Sequence, residues 1–408
     1  MPTNADTGSP IVTSFKLRVH ANTNGSMLHT LTAWVLLQLI IDCAVLVAGL
    51  GWPADHSTEH PHPKPPGSRK PVPSLYSRRY SEQTFIGTHD SIAVRTPENG
   101  WSLSGNQYFN VSVQLRSGIR MLQAQGHRDP NGSNEIRLCH FNCALMDGGS
   151  LTEHLNVVKE FLDANPYEVV TLLFVNTGPP LADWARAYVN TGLDLVSYTP
   201  PPYNRGGSMT IHDWPTVAEM VSSNKRLVTF LSNGANENRV PYLLNQFDYM
   251  FETNFSIDEP NQYTCAPARP RWRDPSYISP RLSLVNHFLY AQFLGFRYPN
   301  ATYANTTNAA GFHIGELGEH AVRCRSLYER RPNFFLVDFF SEGDVFDVEH
   351  AVLQAAVGRG GAEMKRPDLL EAVHNMSPRN LTGHCLHIDA VTSFVPRAMM
   401  FRIVRERP

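Results

Sequence analysis

The sequence has almost no net charge, which limits the partners it can attract by electrostatics alone. Its 35 Lys and Arg residues and 37 Asp and Glu residues give a formal net charge of -2 over 408 residues. This balance gives no electrostatic reason to expect nucleic acid or an anionic membrane surface as a partner. The 42% hydrophobic and 18% charged fractions are nevertheless typical of a globular protein.

The sequence also lacks the paired cysteine or histidine spacing of a zinc site. Cys139 and Cys143 are close in sequence, but no second close pair of ligands accompanies them. A zinc site is therefore disfavoured, and disulfides are favoured if the compartment is oxidising. The remaining cysteines are Cys43, Cys265, Cys324 and Cys385.

An apolar segment near the N-terminus predicts entry into the secretory pathway. Residues 31–50 are long enough to span a bilayer, but Gln38 and Asp42 oppose stable spanning. A cleaved signal peptide starting at Met27 is favoured, with an uncleaved signal anchor as the alternative. The predicted organisation is a tail and leader over residues 1–52, a Pro- and His-rich linker over 53–73, and one domain over 74–408.

Seven N-glycosylation sequons downstream of this segment agree with lumenal or extracellular exposure. They begin at Asn110, Asn131, Asn254, Asn300, Asn305, Asn375 and Asn380. The charged C-terminal residues give no support for a GPI anchor. We therefore expect a secreted or membrane-tethered glycoprotein with its domain outside the cytoplasm.

Eight short β-branched or aromatic runs predict strands, and runs such as VVTLLFV and FFLVDFF are typical of parallel strands buried on both faces. The predicted strands are Thr84–His89, Ile119–Gly126, Ile136–Phe141, Val169–Asn176, Arg226–Ser232, Tyr249–Thr253, Leu282–Tyr290 and Phe334–Phe340. The predicted helices between them are Leu151–Ala164, Val217–Ser223, Val240–Phe247 and Val345–Val357. This alternation favours a distorted (β/α)₈ TIM barrel with an irregular second half over a doubly wound sheet.

Polar side chains lie at or beside the ends of seven of these strands, where a barrel places its active site. The candidates are His89, Asp90, Gln123, Gln125, Arg128, His140, Asn176, Glu252, His287 and Asp338. Two histidines on separate strands can divide acid and base work, and a carboxylate can orient one of them. Such a pair suits cleavage of a phosphodiester. The structural alternatives are a loop cap for His89, a packed His140 in a disulfide loop and a paired Asp338.

Several motifs resemble the X domain of phosphatidylinositol-specific phospholipase C. These are FIGTHDS, QLRSGIRMLQAQGH and LCHFNCALMDGGSLTEHLNVVKEFLDANPYEVVTLLFVN. The later segments DWPTVAEMVSSNKRLVTFLS, LVNHFLY and RPNFFLVDFF resemble secreted fungal phospholipase C-like phosphodiesterases. The resemblance implies a distorted TIM barrel that cleaves an inositol phosphodiester through a cyclic phosphate. A phosphoinositide or related compound is then the expected partner, with at most peripheral membrane contact.

The resemblance implies a role for each matching residue. His89 matches the general base, His140 the general acid, Asp90 an assisting carboxylate and Asp338 the residue that orients the base. Together with proximity in sequence, the resemblance also suggests disulfides Cys139–Cys143 and Cys265–Cys324, with Cys385 free.

Strand two departs from the patterns of the family. Bacterial members carry Asp-x-Arg there, and calcium-dependent eukaryotic members carry Glu-x-Asp. This chain has Gln123 and Gln125, which can hydrogen-bond a phosphate but cannot neutralise it. No cofactor and no calcium are expected. A catalytically silent barrel that binds a polyol phosphate or glycan is the alternative; magnesium-dependent barrel phosphodiesterases are disfavoured because acidic ligands are missing.

Overall fold

Strands and helices alternate through most of the described chain. The computed structural model describes residues 73–271 and 275–354. The strands are β1 (Phe85–Thr88), β2 (Met121–Arg128), β3 (Ile136–Cys139), β4 (Asp147–Ser150), β5 (Val170–Asn176), β6 (Leu227–Leu231), β7 (Leu243–Asn245), β8 (Met250–Thr253), β9 (Pro267–Arg269), β10 (Leu282–Asn286), β11 (Tyr290–Phe293), β12 (Phe296–Pro299) and β13 (Phe334–Val337). The helices are α1 (Pro73–Tyr76), α2 (Val111–Ser117), α3 (Leu151–Ala164), α4 (Leu181–Thr191), α5 (Val217–Ser222), α6 (Gln246–Tyr249), α7 (Pro275–Ile278), α8 (Ala304–Thr307), α9 (Leu317–Tyr328) and α10 (Val345–Gln354).

Eight of these strands are parallel and neighbour one another in chain order. The sheet runs β7-β6-β5-β2-β1-β13-β10-β8, and each successive pair is parallel. In the described chain no ladder joins β7 to β8, while β9 pairs antiparallel with β8 at that edge. The sheet is therefore a curled barrel that is open between its fifth and sixth strands. The predicted distorted (β/α)₈ fold is confirmed.

One predicted strand lies outside the barrel and one predicted helix contains a barrel strand, so the barrel still has eight strands. The predicted strand Ile136–Phe141 contains β3, but β3 pairs antiparallel with β2 and β4 and lies off the barrel path. The predicted helix Val240–Phe247 contains β7, which is a barrel strand, before α6 begins. Both segments are short, and apolar periodicity over so few residues cannot separate helix from strand.

Helix α3 shows how the outer layer attaches to the sheet. The Ser150 hydroxyl accepts a hydrogen bond from the Glu153 N–H, and the Glu153 carboxylate accepts one from the Ser150 N–H. This capping box fixes the start of the helix. Its apolar positions Leu155, Val158 and Leu162 are fully buried in the core that lies between sheet and helices. The predicted helix Leu151–Ala164 is confirmed.

Two disulfides are present in the described residues, and both predicted pairings are confirmed. Cys139–Cys143 closes a loop that contains His140. Cys265–Cys324 joins the segment before β9 to helix α9. Cys385, the apolar leader and the linker lie outside the described residues. Within residues 73–271 and 275–354, no helix has the length and apolar character needed to cross a membrane.

Candidate active site

His89 lies directly after β1 and is bound on one side by the carboxylate of Asp338. Its Nδ1 is 3.0 Å from Oδ1 of Asp338, which follows β13, the strand paired with β1. Asn106 donates to the same carboxylate oxygen at 2.9 Å. The imidazole stacks on Phe288 with a centroid separation of 3.8 Å. Ring position and tautomer are therefore both constrained by neighbours.

The electrostatic surroundings of His89 favour its protonated form. Burial disfavours the charged imidazole, but the carboxylates of Asp338 and Asp90 outweigh burial and raise the pKa of His89 above its usual value. These are the two effects that normally compete at a buried histidine beside an acid. The net direction suits a residue that must accept a proton.

His140 reaches the same place from an antiparallel strand. Strand β3 returns alongside β2, with Ile136 opposite Arg128 and Leu138 opposite Gly126. The chain thereby runs back toward the carboxyl ends of the barrel strands. Nδ1 of His140 lies 2.6 Å from the carbonyl oxygen of Ser104, and Nε2 lies 3.2 Å from Oδ2 of Asp90. Both ring nitrogens therefore face acceptors, which suits an imidazolium.

Asp90 links the two histidines. Its Oδ2 is also 3.4 Å from Nε2 of His89, and the two imidazole centroids are 6.4 Å apart. The carboxylate is fully buried. Its backbone has φ of 39°, a left-handed conformation that is uncommon for a residue other than glycine. Such a conformation persists only where surrounding contacts hold it.

A cavity of about 260 Å³ opens beside the histidines. Among the sequence candidates, the structure brings six to its wall: His89, Asp90, Gln123, Gln125, His140 and Glu252. Asp338 is behind His89 and contacts it directly. The remaining wall is largely apolar or aromatic, with Phe141, Phe255, Phe288 and Tyr290 among its members. A cavity with a few convergent polar groups is the usual form of a small-ligand site.

The cavity also contains a cation that sequence reasoning missed. Arg269, on β9, forms an ion pair with Glu252 on β8 and lies over the ring of Phe255 at 4.4 Å. Its side chain is 40% exposed, whereas Glu252 is buried. Burial raises the pKa of Glu252, although the guanidinium opposes that shift. No motif marked Arg269, because the short edge strand that carries it lies between the predicted strands Tyr249–Thr253 and Leu282–Tyr290.

Three predicted ligand contacts do not line the cavity. Arg128 is exposed at the end of β2. Asn176 is used in a loop contact, where its backbone carbonyl accepts from Asn233 at 3.0 Å. His287 is buried against His320 and the Thr307 carbonyl, and burial lowers its pKa to about 4.

The alternation of side chains along a strand explains two of these displacements. Successive residues point to opposite faces, so Leu173 and Val175 on β5 face the cavity and Asn176 does not. On β10, Leu284 and Asn286 face the cavity and His287 follows on the other side. A strict count of alternate positions would have selected Asn286.

The described residues do not fit a metal centre at either place where acidic or sulfur ligands cluster. Cys265, Cys324 and His320 lie close together, but both sulfurs are joined in a disulfide. At the cavity, Asp90 is already contacted by two imidazoles and by Gln125. Calcium sites take six to eight oxygen ligands, whereas the second carboxylate of this wall, Glu252, is paired with Arg269.

Comparison with known proteins agrees with the sequence motifs. The family model described as PI-PLC X matches residues 75–353. PI-PLC X domain-containing protein 1 of Arthroderma benhamiae is 38% identical over 281 residues, covering 69% of this chain and 87% of the relative. A protein of the same organism described as an uncharacterized secreted protein is 36% identical over 275 residues, covering 66% and 59%.

Solved structures of phosphatidylinositol-specific phospholipase C are more distant. The Staphylococcus aureus protein with a pentafluoro-Phe substitution is 15% identical, with a TM-score of 0.48, covering 68% of this chain and 94% of that one. The Listeria monocytogenes protein is 14% identical, with a TM-score of 0.44 and the same coverages. The family match extends over most of the described barrel and includes both histidines. The chain therefore belongs to the PI-PLC X domain family.

Proposed function

We propose that this protein is a phosphodiesterase that cleaves an inositol phosphodiester by general acid–base catalysis, without a metal ion. The observation that carries the proposal is the arrangement of His89 and His140. Both imidazoles line one cavity, both approach Oδ2 of Asp90, and Asp338 holds the far side of His89. Release of a cyclic inositol phosphate from phosphatidylinositol, followed by ³¹P NMR, tests it.

His89 is the proposed base. With its Nδ1–H donated to Asp338, Nε2 can accept the proton of the attacking inositol hydroxyl. The hydroxyl oxygen then forms a bond to phosphorus within the same molecule. Asp338 stabilises the imidazolium that results, as a buried carboxylate does in other histidine-based sites.

His140 is the proposed acid. Its Nδ1–H donates to the Ser104 carbonyl, so the transferable proton of the imidazolium is on Nε2. That proton passes to the leaving oxygen as its bond to phosphorus breaks. The products are a cyclic phosphate and an alcohol, and the two histidines exchange protonation states. Solvent restores them before the next turnover.

Arg269 is the proposed cation for the anionic substrate. It is the one guanidinium among the cavity-lining residues of the described chain, and hydrogen bonds from a charged donor to a phosphate are stronger than those from an amide. Glu252 and Phe255 hold it in place.

Arg269→Gln is expected to raise KM for phosphatidylinositol by about 10- to 100-fold, since a hydrogen bond to a charged group contributes about 1.5–3 kcal/mol. Arg128→Gln is the matched control, because Arg128 is exposed and does not line the cavity. Steady-state kinetics on both variants measure the effect. Equal KM values for Arg269→Gln and wild type would contradict a substrate contact at this position.

Turnover is expected to be unchanged by a calcium chelator, within about twofold. The reason is that neutral Gln123 and Gln125 replace potential carboxylate ligands, whereas calcium needs several hard oxygen ligands. The measurement compares initial rates in EGTA with rates in added calcium, on protein stripped of divalent ions. Loss of activity in EGTA that calcium restores would overturn the metal-free mechanism.

A silent barrel that binds a polyol phosphate is the second candidate function. The observation in its favour is the Gln-x-Gln pair on β2, where both amides are neutral. This alternative predicts saturable binding of inositol 1-phosphate to the folded protein without any product from phosphatidylinositol. We also propose an extracellular location, supported by the predicted secretory leader, the sequons and the relative described as secreted.

A further inference from the structure

We infer that Gln123 and Gln125 are positioning residues that hold Asp90 between the two imidazoles, instead of serving as ligands for the phosphate. This inference deepens the proposed function and rests on it for the roles of His89 and His140. The geometry that carries it is independent of activity, because every contact is made within the protein.

Strand β2 holds the turn after His89 through three hydrogen bonds. The side-chain Oε1 of Gln123 accepts from the Asp90 N–H at 2.7 Å. The backbone carbonyl of Gln123 accepts from both the N–H and the hydroxyl of Ser91, at 2.8 and 2.7 Å. These bonds hold Asp90 in its left-handed conformation, which is uncommon for a residue other than glycine, although Asp adopts it more often than most residues.

Gln125 acts on the carboxylate itself. Its Nε2 lies 3.3 Å from Oδ1 and 3.2 Å from Oδ2 of Asp90. Gln123 and Gln125 are two residues apart on one strand, so both side chains point to the same inner face. One amide therefore fixes the backbone of Asp90, and the other fixes the orientation of its carboxylate toward Nε2 of His89 and of His140.

A neutral amide is suited to this role because it donates a hydrogen bond without changing the net charge. An arginine or lysine at position 125 would neutralise Asp90 and weaken its attraction for a protonated imidazole of His89 or His140. A glutamate there would repel the carboxylate. The two glutamines thus leave one full negative charge available to both histidines, which accounts for a strand-two pattern with neither a cation nor a calcium ligand pair.

The test is Gln125→Glu, which keeps the size of the side chain, removes the donor and adds a negative charge. The titratable and charged groups that face His89 are Asp90, Asp338, His140 and the Glu252–Arg269 pair. A further negative charge among them stabilises the imidazolium. The pKa of His89 is expected to rise by about one unit, and the acid limb of kcat/KM should move to higher pH by the same amount.

Two measurements are made on wild type, Gln125→Glu and the control Gln292→Glu, in which the same change is made at an exposed position on β11. NMR titration of the His89 and His140 imidazoles reports the charge effect. Steady-state kinetics report kcat and KM separately. We expect kcat of Gln125→Glu to fall by about 10- to 100-fold through a misplaced carboxylate and a more protonated base, with KM changed by less than about twofold.

The outcomes separate this inference from the proposed function. Two results would overturn the positioning role: an unchanged pKa of His89 in Gln125→Glu, or a raised KM with an unchanged pH profile. Either result would favour Gln125 as a contact for the substrate. If wild type gives no product from phosphatidylinositol, the proposed function fails, and the imidazole titration alone then decides the inference.

Gln125→Met, which removes the donor without adding charge, covers the case in which the glutamate variant does not fold. It should lose kcat while KM and thermal stability are retained, and unchanged kcat would contradict the inference.

Discussion

Replacing His89 by alanine is expected to lower kcat for phosphatidylinositol by about 10²–10⁴-fold, the range that a positioned general base contributes. The imidazole lies between Asp338 and Asp90, and the other cavity histidine, His140, is the proposed acid and is bound to the Ser104 carbonyl through its Nδ1. His140→Ala should cause a comparable loss because it removes the acid. Release of cyclic inositol phosphate, measured by ³¹P NMR at several enzyme concentrations, gives the rates.

The control for this prediction is His313→Ala, at an exposed histidine. It should behave as wild type in rate and thermal stability. We expect His89→Ala to fold, because His89 lines the cavity and is not part of the apolar core. Circular dichroism and thermal unfolding check this expectation. Wild-type rates in both folded histidine variants would exclude the acid–base mechanism, whereas folded wild type that gives no product would favour the binding protein.

Asp338→Asn is expected to lower kcat by about 10²–10⁴-fold, similar to the loss of the base itself. The asparagine amide can present its N–H₂ to Nδ1, and the imidazole then carries its proton on Nε2, the atom that must accept one. The fold should be retained, since the substitution conserves size. Asp147→Asn, which removes a carboxylate from a partly exposed pair with Arg137, is the matched control.

The residual activity of Asp338→Asn should also have a different pH profile. In wild type, Asp338 and Asp90 raise the pKa of His89 above its usual value despite burial, so the base stays protonated until a higher pH and the rate rises through that pKa. Removing Asp338 lowers the pKa of His89, and the acid limb of kcat/KM moves to lower pH. A limb that stays in place, or moves to higher pH, would contradict the assignment of His89 as the base oriented by Asp338.

Parts of the fold could be predicted because they depend on local pattern. The buried strands β5, β6 and β13 are continuous apolar runs, and helix α3 has a regular apolar face with a capping residue. The short run Thr84–His89 also predicted a strand that ends at the histidine of the Gly-Thr-His-Asp-Ser turn. The resemblance of several ordered motifs then connected this histidine with His140 and Asp338.

Other parts depended on contacts between segments distant in sequence. Whether β3 joins the barrel or folds back on β2 depends on pairing partners, which a four-residue apolar run does not specify. Leu243–Asn245 is a strand because β6 offers it an open edge. Arg269 could not be predicted from local pattern either, because it lies at the cavity only through the pairing of β9 with β8.

The sequence by itself predicted most of the strand–helix alternation from short-range pattern. The resemblance of its motifs to a known family then implied the two histidines, their carboxylate partners and both disulfide pairings. Only the tertiary structure decided which side chains face the cavity. That choice depends on strand register, where a shift of one residue turns a side chain to the opposite face. Because of strand register and pairing, Asn286 and not His287 lines the cavity, and Arg269 lies beside Glu252. For the same reason, Gln123 and Gln125 contact Asp90.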